Sequence, residues 1–253
     1  MEIWNRGMGV HRRVRVDADR VFYCGDLGQP AMRRSGAFNL YVSLDAPIRY
    51  RLDGQPWREA ECLVMPPYTA HQIVCDSRMA CDLMLEPESV DPLRLPDFVR
   101  GAVGAVEAAP FIERMRAAAH GAALTRDSLD LSFFGHLLPG RLLDPRIGEA
   151  VRRLQLTPNT PVGAGDFAAQ AGLSNSRFLH LFKQETGCSY RAYRAWKRAR
   201  MLLSVINRPQ NLARLAQDIG YPDSAHFSHS IRRYFGICPK DILRGCRRLQ
   251  IVH

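Results

Sequence analysis

The sequence contains no long apolar segment and no closely spaced pair of cysteines. No apolar run approaches the roughly 20 residues that a membrane-spanning helix needs, and no basic segment followed by an apolar one stands at the N-terminus. We therefore expect neither a membrane segment nor a signal peptide. The seven cysteines are an odd number and none is spaced C-x-x-C, which argues against a complete disulfide framework and a zinc ribbon. This composition predicts a reducing, cytoplasmic location.

The first 96 residues also lack the motifs on which an enzyme would depend. They contain no H-x-H pair of metal ligands and no glycine-rich phosphate loop. His71 could bind a metal, but without clustered partners a structural or pocket histidine is the better interpretation. The sequence thus predicts no cofactor, no metal and no enzymatic activity. A cupin-type enzyme fused to a nucleic-acid-binding module is the alternative.

Acidic residues are scarce in the C-terminal part of the chain. Residues 1–144 hold 17 Lys and Arg against 19 Asp and Glu, whereas residues 145–253 hold 18 against 6. The two parts therefore carry net charges of −2 and +12, and this asymmetry indicates a polyanionic partner for the second part. The alternative is a generally basic, solvated surface.

Short strands are predicted in the first 90 residues, and helices after them. Alternating apolar patterns that end at turns or prolines predict five strands. They are residues 38–44, 48–52, 61–65, 71–75 and 79–85. Residues from about 97 to 138 have helical patterns, a linker is expected near 139–144, and only helices and turns are predicted from Pro145 onward. The fold class is therefore α+β, with one domain at 1–140 and a second at 145–253.

The second domain contains an internal repeat with an offset of 49 residues. The matching pairs are Phe178/Phe227, His180/His229, Lys183/Arg232 and Gly187/Gly236. Upstream of each copy a short helical segment ends at Gly172 or Gly220, where we expect a left-handed turn that glycine adopts without steric cost. Each copy thus has the layout of a helix-turn-helix, at about residues 164–187 and 211–236.

Small and polar residues occupy the positions that this layout requires. Ala168 and Ala216 fall where the two helices of each copy touch, because a larger side chain would hold the helices apart. Ser174 and Asp223 are expected to cap the second helices. One face of each second helix is apolar, with Phe178, Leu181 and Phe182 in the first copy and Phe227, Ile231 and Tyr234 in the second.

A basic helix is predicted between the two copies, at about residues 189–206. Its cations are Arg191, Arg194, Lys197, Arg198 and Arg200. At 1.5 Å per residue, about 18 residues span roughly 27 Å, which is close to the spacing of about 34 Å between successive major grooves on one face of DNA. The connecting helix could therefore place two reading helices in adjacent grooves.

Several motifs of the second domain are typical of one protein family. They are Ala171-Gly172-Leu173-Ser174, Phe178-x3-Phe182-Lys183-x-Glu185-Thr186-Gly187, Tyr193, Ala216-x3-Gly220-Tyr221, His226-Phe227-Ser228 and Tyr234-Phe235-Gly236-x2-Pro239. Through them, residues from about 145 to 245 resemble the DNA-binding domain of the AraC/XylS family of transcription regulators. The resemblance implies double-stranded DNA and RNA polymerase as partners. It also implies that the protein is an activator, as is usual in the family.

In that family the second helix of each unit enters the major groove. Carried over by position, the implied base-facing residues are Ser176, Leu179, His180 and Lys183 in the first copy and Ala225, Ser228, His229 and Arg232 in the second. Leu179 and Ala225 can make only apolar contacts, for example to a thymine methyl group. His180 and His229 could instead contact phosphates or remain solvated.

For the first domain, the resemblance implies a cupin-like β-barrel followed by helices. In the family such a barrel often binds a small-molecule effector, and the helices form a dimer. The stretch 97–138 could supply a homodimer surface or could only pack within the domain. Control by a partner protein, without a small ligand, is the alternative to control by an effector.

Two kinds of candidate regulatory residue stand in the first domain. Aromatic residues could line an effector pocket or fill the barrel core, and these are Tyr41, Tyr50, Trp57 and Tyr68. Cysteines could form a redox switch, although acidic neighbours favour buried, unreactive thiols. They are Cys24, Cys62, Cys75 and Cys81.

Overall fold

The computed structural model describes residues 12–27, 29–76, 79–125, 128–204, 211–246 and 250–251. Its strands are β1 (Arg13–Val16), β2 (Arg20–Asp26), β3 (Phe38–Ser43), β4 (Ile48–Leu52), β5 (Arg58–Ala60), β6 (Cys62–Met65), β7 (His71–Val74), β8 (Met79–Leu85), β9 (Gly104–Ala105) and β10 (Gln250–Ile251). Its helices are α1 (Ala109–Ala119), α2 (Leu129–Phe134), α3 (Pro145–Leu156), α4 (Ala164–Gln170), α5 (Asn175–Thr186), α6 (Tyr190–Ser204), α7 (Leu212–Asp218), α8 (Ser224–Phe235) and α9 (Pro239–Cys246). The α+β class is confirmed, while the boundaries of the two domains stay a prediction.

The strands of the described residues form two sheets. The larger has the order β10-β1-β2-β8-β3-β6-β9 and the smaller the order β5-β4-β7. Neighbouring strands are antiparallel, except that β10 pairs with β1 in parallel. No strand pairing among these residues closes the sheets into one barrel, so the cupin-like barrel is not confirmed.

The larger sheet is covered on both faces. Successive side chains of a strand point to opposite faces, and in β8 Cys81 and Leu83 pack in a core with α1 and α2. Ala80 on the opposite face packs with the smaller sheet, whereas Met84 packs with the C-terminal helices. This second face therefore lies where the N-terminal and C-terminal parts of the chain meet.

Within the first 90 residues three strands were not predicted, namely β1, β2 and β5, because charged residues interrupt their apolar patterns. In β1 and β2, Arg13, Arg15 and Arg20 are buried, although arginine is rarely buried without partners. The Arg13 Nη1 donates to the Ala118 carbonyl at 2.6 Å, and the Arg20 Nε donates to an Asp130 carboxylate oxygen at 2.7 Å. Both partners lie about a hundred residues away in sequence. No local sequence pattern therefore indicated that these arginines could be buried in strands. The third unpredicted strand is the short β5.

Two predictions about secondary structure are wrong. Residues 97–108 are not helical but form turns and β9, because Gly101 and Gly104 adopt φ values of +72° and +96°, which break a helix. A strand, β10, also lies beyond Pro145, where only helices and turns were predicted. None of the helices described here is long and apolar enough to cross a membrane.

Candidate nucleic-acid interface

Two helix pairs in the C-terminal part have helix-turn-helix geometry, α4 with α5 and α7 with α8. The turns contain Gly172 and Gly220 at φ values of +65° and +86°, which confirms the left-handed backbone predicted there. Ala168 and Ala216 are buried, as expected where the paired helices touch. The two copies of the repeat thus fold in the same way.

The second helix of each pair has a capped start and a glycine end. The Ser174 Oγ accepts a hydrogen bond from the Arg177 amide at 3.3 Å, and an Asp223 carboxylate oxygen accepts from the Ala225 and His226 amides, both at 2.8 Å. These bonds confirm both predicted caps and satisfy amides that a helix start leaves unpaired. The backbones of α5 and α8 are therefore well defined at the end from which reading helices commonly contact bases.

Helix α5 buries one face and exposes the opposite one. Phe178 and Phe182 are fully buried, and the Phe182 ring meets the Tyr193 ring of α6 at a centroid distance of 5.4 Å. The residues predicted to face bases are Ser176, Leu179, His180 and Lys183, and all four are exposed. Leu179 is 38% exposed, so this otherwise polar face includes one apolar side chain.

Helix α8 repeats this arrangement. Phe227, Ile231 and Tyr234 are buried. Of the residues predicted to face bases, Ala225, His229 and Arg232 are exposed and Ser228 is half-buried. The exposed faces thus contain the predicted residues at matching positions of both helices.

The Arg232 side chain is held by its own chain. Its Nε and Nη2 atoms donate to the Cys238 Sγ at 3.2 and 3.1 Å. Arg232 lies in the last turn of α8, and Cys238 lies in the turn that follows this helix. The thiol thus orients one edge of the guanidinium, and a base contact through Nε and Nη2 together would require this edge to leave the sulfur.

Most cations of α6 face the protein and not the solvent, contrary to what a DNA-facing connecting helix would show. Lys197 is 5% exposed, and its Nζ lies 2.6 Å from an oxygen of Glu86. The Arg200 Nε lies 2.6 Å from the other oxygen of Glu86. The N-terminal part of the chain neutralises these two cations.

Two further α6 cations bind the backbone of the loop between α3 and α4. Arg194 donates to the Thr160 carbonyl, and the Arg198 Nε donates to the Pro158 carbonyl at 3.1 Å. Only Arg191 among the five predicted cations is exposed. The basic surface of this part is supplied instead by exposed arginines that the sequence reasoning did not single out, namely Arg177, Arg214 and Arg233.

A buried acidic pair joins the N-terminal part to α6. Glu86 and Glu88 follow β8, and each is at most 5% exposed. The Trp196 Nε1 donates to Glu86 at 2.9 Å, and the Tyr193 hydroxyl donates to Glu88 at 2.9 Å. Lys197 also pairs with Glu88. Burial acts to raise the pKa of Glu88, but the charge and hydrogen bond of Lys197, together with the hydrogen bonds from the Glu88 backbone and from Gln155, hold that pKa below its usual value.

A second contact fixes the end of α8. The Ala31 amide donates to the Gly236 carbonyl at 2.8 Å, the Arg34 amide donates to the Arg233 carbonyl at 2.9 Å, and the Arg33 Nη1 donates to the Phe235 carbonyl at 3.2 Å. The last carbonyls of a helix lack partners within it, and here the N-terminal part supplies those partners. The connecting helix α6 and the second helix-turn-helix unit are therefore anchored to the sheet region.

The aromatic residues considered for an effector pocket occupy different environments. Tyr41 and Tyr50 are buried in the core of the smaller sheet. Tyr68 donates to the Cys188 Sγ at 3.4 Å, and Trp57 is 42% exposed beside Arg51. These positions favour a packing role over a shared pocket.

His71 has the environment of a structural histidine. The Arg33 Nε donates to its Nε2 at 3.3 Å, and its Nδ1 lies 2.9 Å from the Thr69 carbonyl. Burial, and then the Arg33 charge, lowers the pKa of His71 to about 3, so the ring is neutral at physiological pH. The described residues include no group of three His, Cys, Asp or Glu side chains placed to hold a metal.

The cysteines considered for redox sensing are buried. Cys24, Cys62, Cys75 and Cys81 are each at most 4% exposed. Burial raises the pKa of Cys62 to about 12 and that of Cys75 to about 11. Because the thiolate is the reactive form, these environments disfavour oxidation.

Comparison with known proteins identifies the C-terminal part. A family described as a helix-turn-helix domain matches residues 167–245. The arabinose operon regulatory proteins of Salmonella typhimurium and Escherichia coli are both 34% identical over 77 residues, which is 29% of this chain and 27% and 26% of theirs. The C-terminal part belongs to the AraC/XylS family. The chain thus spans about a quarter of the length of the curated relatives it matches.

Solved structures of ToxT from Vibrio cholerae resemble the chain beyond its AraC/XylS domain. Apo ToxT from Vibrio cholerae, a point variant, has a TM-score of 0.64 at 11% identity and covers 92% of this chain and 99% of that chain. Wild-type ToxT with a bound unsaturated fatty acid has a TM-score of 0.61 at 10% identity, with coverages of 90% and 96%. At such identities the likeness concerns the fold alone, a β-rich part followed by two helix-turn-helix units.

Proposed function

We propose that the protein is a sequence-specific transcription regulator that binds double-stranded DNA with α5 and α8. The observation that carries this proposal is the pair of exposed faces at matching positions of a duplicated unit in an AraC/XylS domain. The base-reading residues would be Ser176, Leu179, His180, Lys183, Ser228, His229 and Arg232. Exposed arginines beside them would neutralise phosphates, which supply much of the affinity of such complexes.

The proposal also covers the direction of regulation and the way in which the protein is controlled. The protein would act in the cytoplasm, as an activator that contacts RNA polymerase, under the control of a small-molecule effector bound by its cupin-like N-terminal part. The contacts that fix α6 and α8 to this part support such control, because a change there would reach both reading units. Control by a partner protein at the same part is the second candidate.

A homodimer is part of the same proposal. Val103 and Leu137 are 53% and 61% exposed, and exposed apolar side chains in the region 97–138 suit a surface shared by two copies. Sedimentation of the purified protein would report its oligomeric state.

Replacing Lys183 or Arg232 with alanine is expected to weaken operator binding about 5- to 100-fold, since a good base contact is worth about 1–3 kcal/mol. The operator would first be selected from random DNA with the parent protein, and affinities would then be measured by fluorescence anisotropy at several salt concentrations. A lost phosphate contact would also lower the salt slope by about 0.9.

The matched control for Arg232→Ala is Arg58→Ala, because Arg58 is exposed on β5, outside the helix-turn-helix units. This control is expected to bind like the parent. Unchanged operator binding in both Lys183→Ala and Arg232→Ala would contradict the assignment of the reading faces.

A further inference from the structure

A cavity of about 90 Å³ lies between the sheet and the C-terminal helices. Its apolar wall combines residues of β1, β2 and β8 with residues of α6, α8 and α9, and it includes Val14, Val21, Met84, Leu203, Phe235 and Ile242. A molecule in this cavity would contact the N-terminal part and the second helix-turn-helix unit together. None of the four aromatic residues predicted for an effector pocket lines it.

The polar wall of the cavity is mainly acidic. Among the described residues, three carboxylates line it, those of Asp26, Asp82 and Asp241, and one cation, Arg33. Asp82 is 2% exposed, whereas Asp241 is exposed and so lies where the cavity meets solvent. An anionic ligand would face this excess of carboxylates, whereas a cationic ligand would be attracted by it.

Asp82 is the buried carboxyl group of the cavity, and no ion pair to it is present among the described residues. Its two oxygens accept from the Asn39 Nδ2 at 3.1 and 2.9 Å. The Arg33 guanidinium instead donates to Tyr41, His71 and the Phe235 carbonyl. A buried carboxylate without a paired cation is costly, and a cation that enters the cavity would relieve this cost.

We propose that this cavity binds a short alkylammonium ion, with the ammonium group at Asp82 and the carbon chain against the apolar wall. The size follows from the volume, since a 150 Å³ apolar cavity holds benzene and 90 Å³ therefore suits about four carbon atoms. The proposal rests on the effector control proposed above and gives the effector a chemical class.

The test compares three molecules of equal chain length, namely butylammonium, butyrate and 1-butanol. Thermal unfolding of the full chain is followed near pH 8 without DNA, at about 1–50 mM of each and with ammonium chloride as the salt control. Butylammonium is expected to raise the Tm by a few degrees with a saturable dose dependence. Butyrate, butanol and ammonium chloride are expected to leave the Tm unchanged or lower it.

Two variants assign any stabilisation to this cavity. Asp82→Asn removes the anion at almost constant shape, and Met84→Trp fills the space while Asp82 stays. Both are expected to abolish the response to butylammonium, whereas Asp45→Asn, at an exposed carboxylate, is expected to retain it. Stabilisation by butyrate equal to that by butylammonium, or a full response in Asp82→Asn, would overturn the proposal.

Operator affinity is then measured with and without butylammonium. A change of threefold or more that disappears in Asp82→Asn would support both the site and its regulatory role. Binding to the protein with unchanged operator affinity would support the site and contradict effector control through it. Absence of any butylammonium response in a protein that binds its operator would overturn the site and leave the DNA-binding function intact.

Discussion

Replacing Lys197 with methionine is expected to lower the free energy of unfolding by about 3–5 kcal/mol, the usual effect of removing one partner of a buried ion pair. Lys197 is buried between Glu86 and Glu88. Its loss would leave Glu88 without a cation, while Glu86 would retain Arg200. Urea unfolding at pH 7, followed by circular dichroism, measures the change.

The sequence offers a matched control for this substitution. The chain has only three lysines, and Lys240 is exposed, so Lys240→Met is expected to change the free energy of unfolding by less than about 0.5 kcal/mol. The combination of Lys197→Met with Glu88→Gln should recover part of the loss, because Glu86 keeps Arg200 and no unpaired carboxylate is buried. Equal stability of Lys197→Met and the parent would show that this cluster does not hold the two parts together.

The helix-turn-helix units could be predicted because their signals are local. Each unit is indicated by three signals that lie within about 25 residues. They are a glycine in the turn, a capping residue four positions before the first buried aromatic, and an apolar period of 3 to 4. The repeat gave each signal twice, so Gly172 and Gly220, or Ser174 and Asp223, supported one another. The resemblance to the AraC/XylS family then indicated which exposed positions of α5 and α8 are expected to face bases. The local pattern alone does not distinguish among the exposed positions.

The arrangement around these units depends on partners that are distant in sequence. Glu86 and Lys197 are separated by 111 residues, and the same cation pattern in α6 fits either a DNA-facing helix or a helix docked on carboxylates. Charge counting predicted a polyanionic partner for the C-terminal part as a whole, but a net charge does not record which cations are already paired within the chain. The acidic cavity escaped prediction for a similar reason, since its lining comes from three strands and three helices.

The stability of Asp82→Asn is expected to exceed that of the parent by about 4 kcal/mol at pH 8 and to match it near pH 4. Burial, opposed by the Arg33 charge and the Asn39 hydrogen bond, raises the pKa of Asp82 from 3.8 to about 7. Near pH 3 and below, the carboxyl is protonated in the folded and the unfolded chain alike, and at pH 4 its ionisation still costs less than about 1 kcal/mol of stability. As the pH rises to about 7 only the unfolded chain releases this proton, and each pH unit removes about 1.4 kcal/mol of stability.

Urea unfolding of the parent and of Asp82→Asn at each unit between pH 4 and pH 8 tests this expectation. Asparagine cannot ionise, and its amide oxygen can still accept from Asn39, so the difference between the two proteins reports the ionisation of Asp82. His71 stays neutral over this range because burial holds its pKa near 3. The other charged and titratable groups that face Asp82, namely Arg33, Asp26, Asp241, Tyr23 and Tyr41, are common to both proteins. Asp45→Asn, at an exposed carboxylate, should show no such trend. A difference that is constant from pH 4 to pH 8 would mean that Asp82 does not carry an unpaired charge in the cavity, and would remove the reason to expect a cationic ligand there.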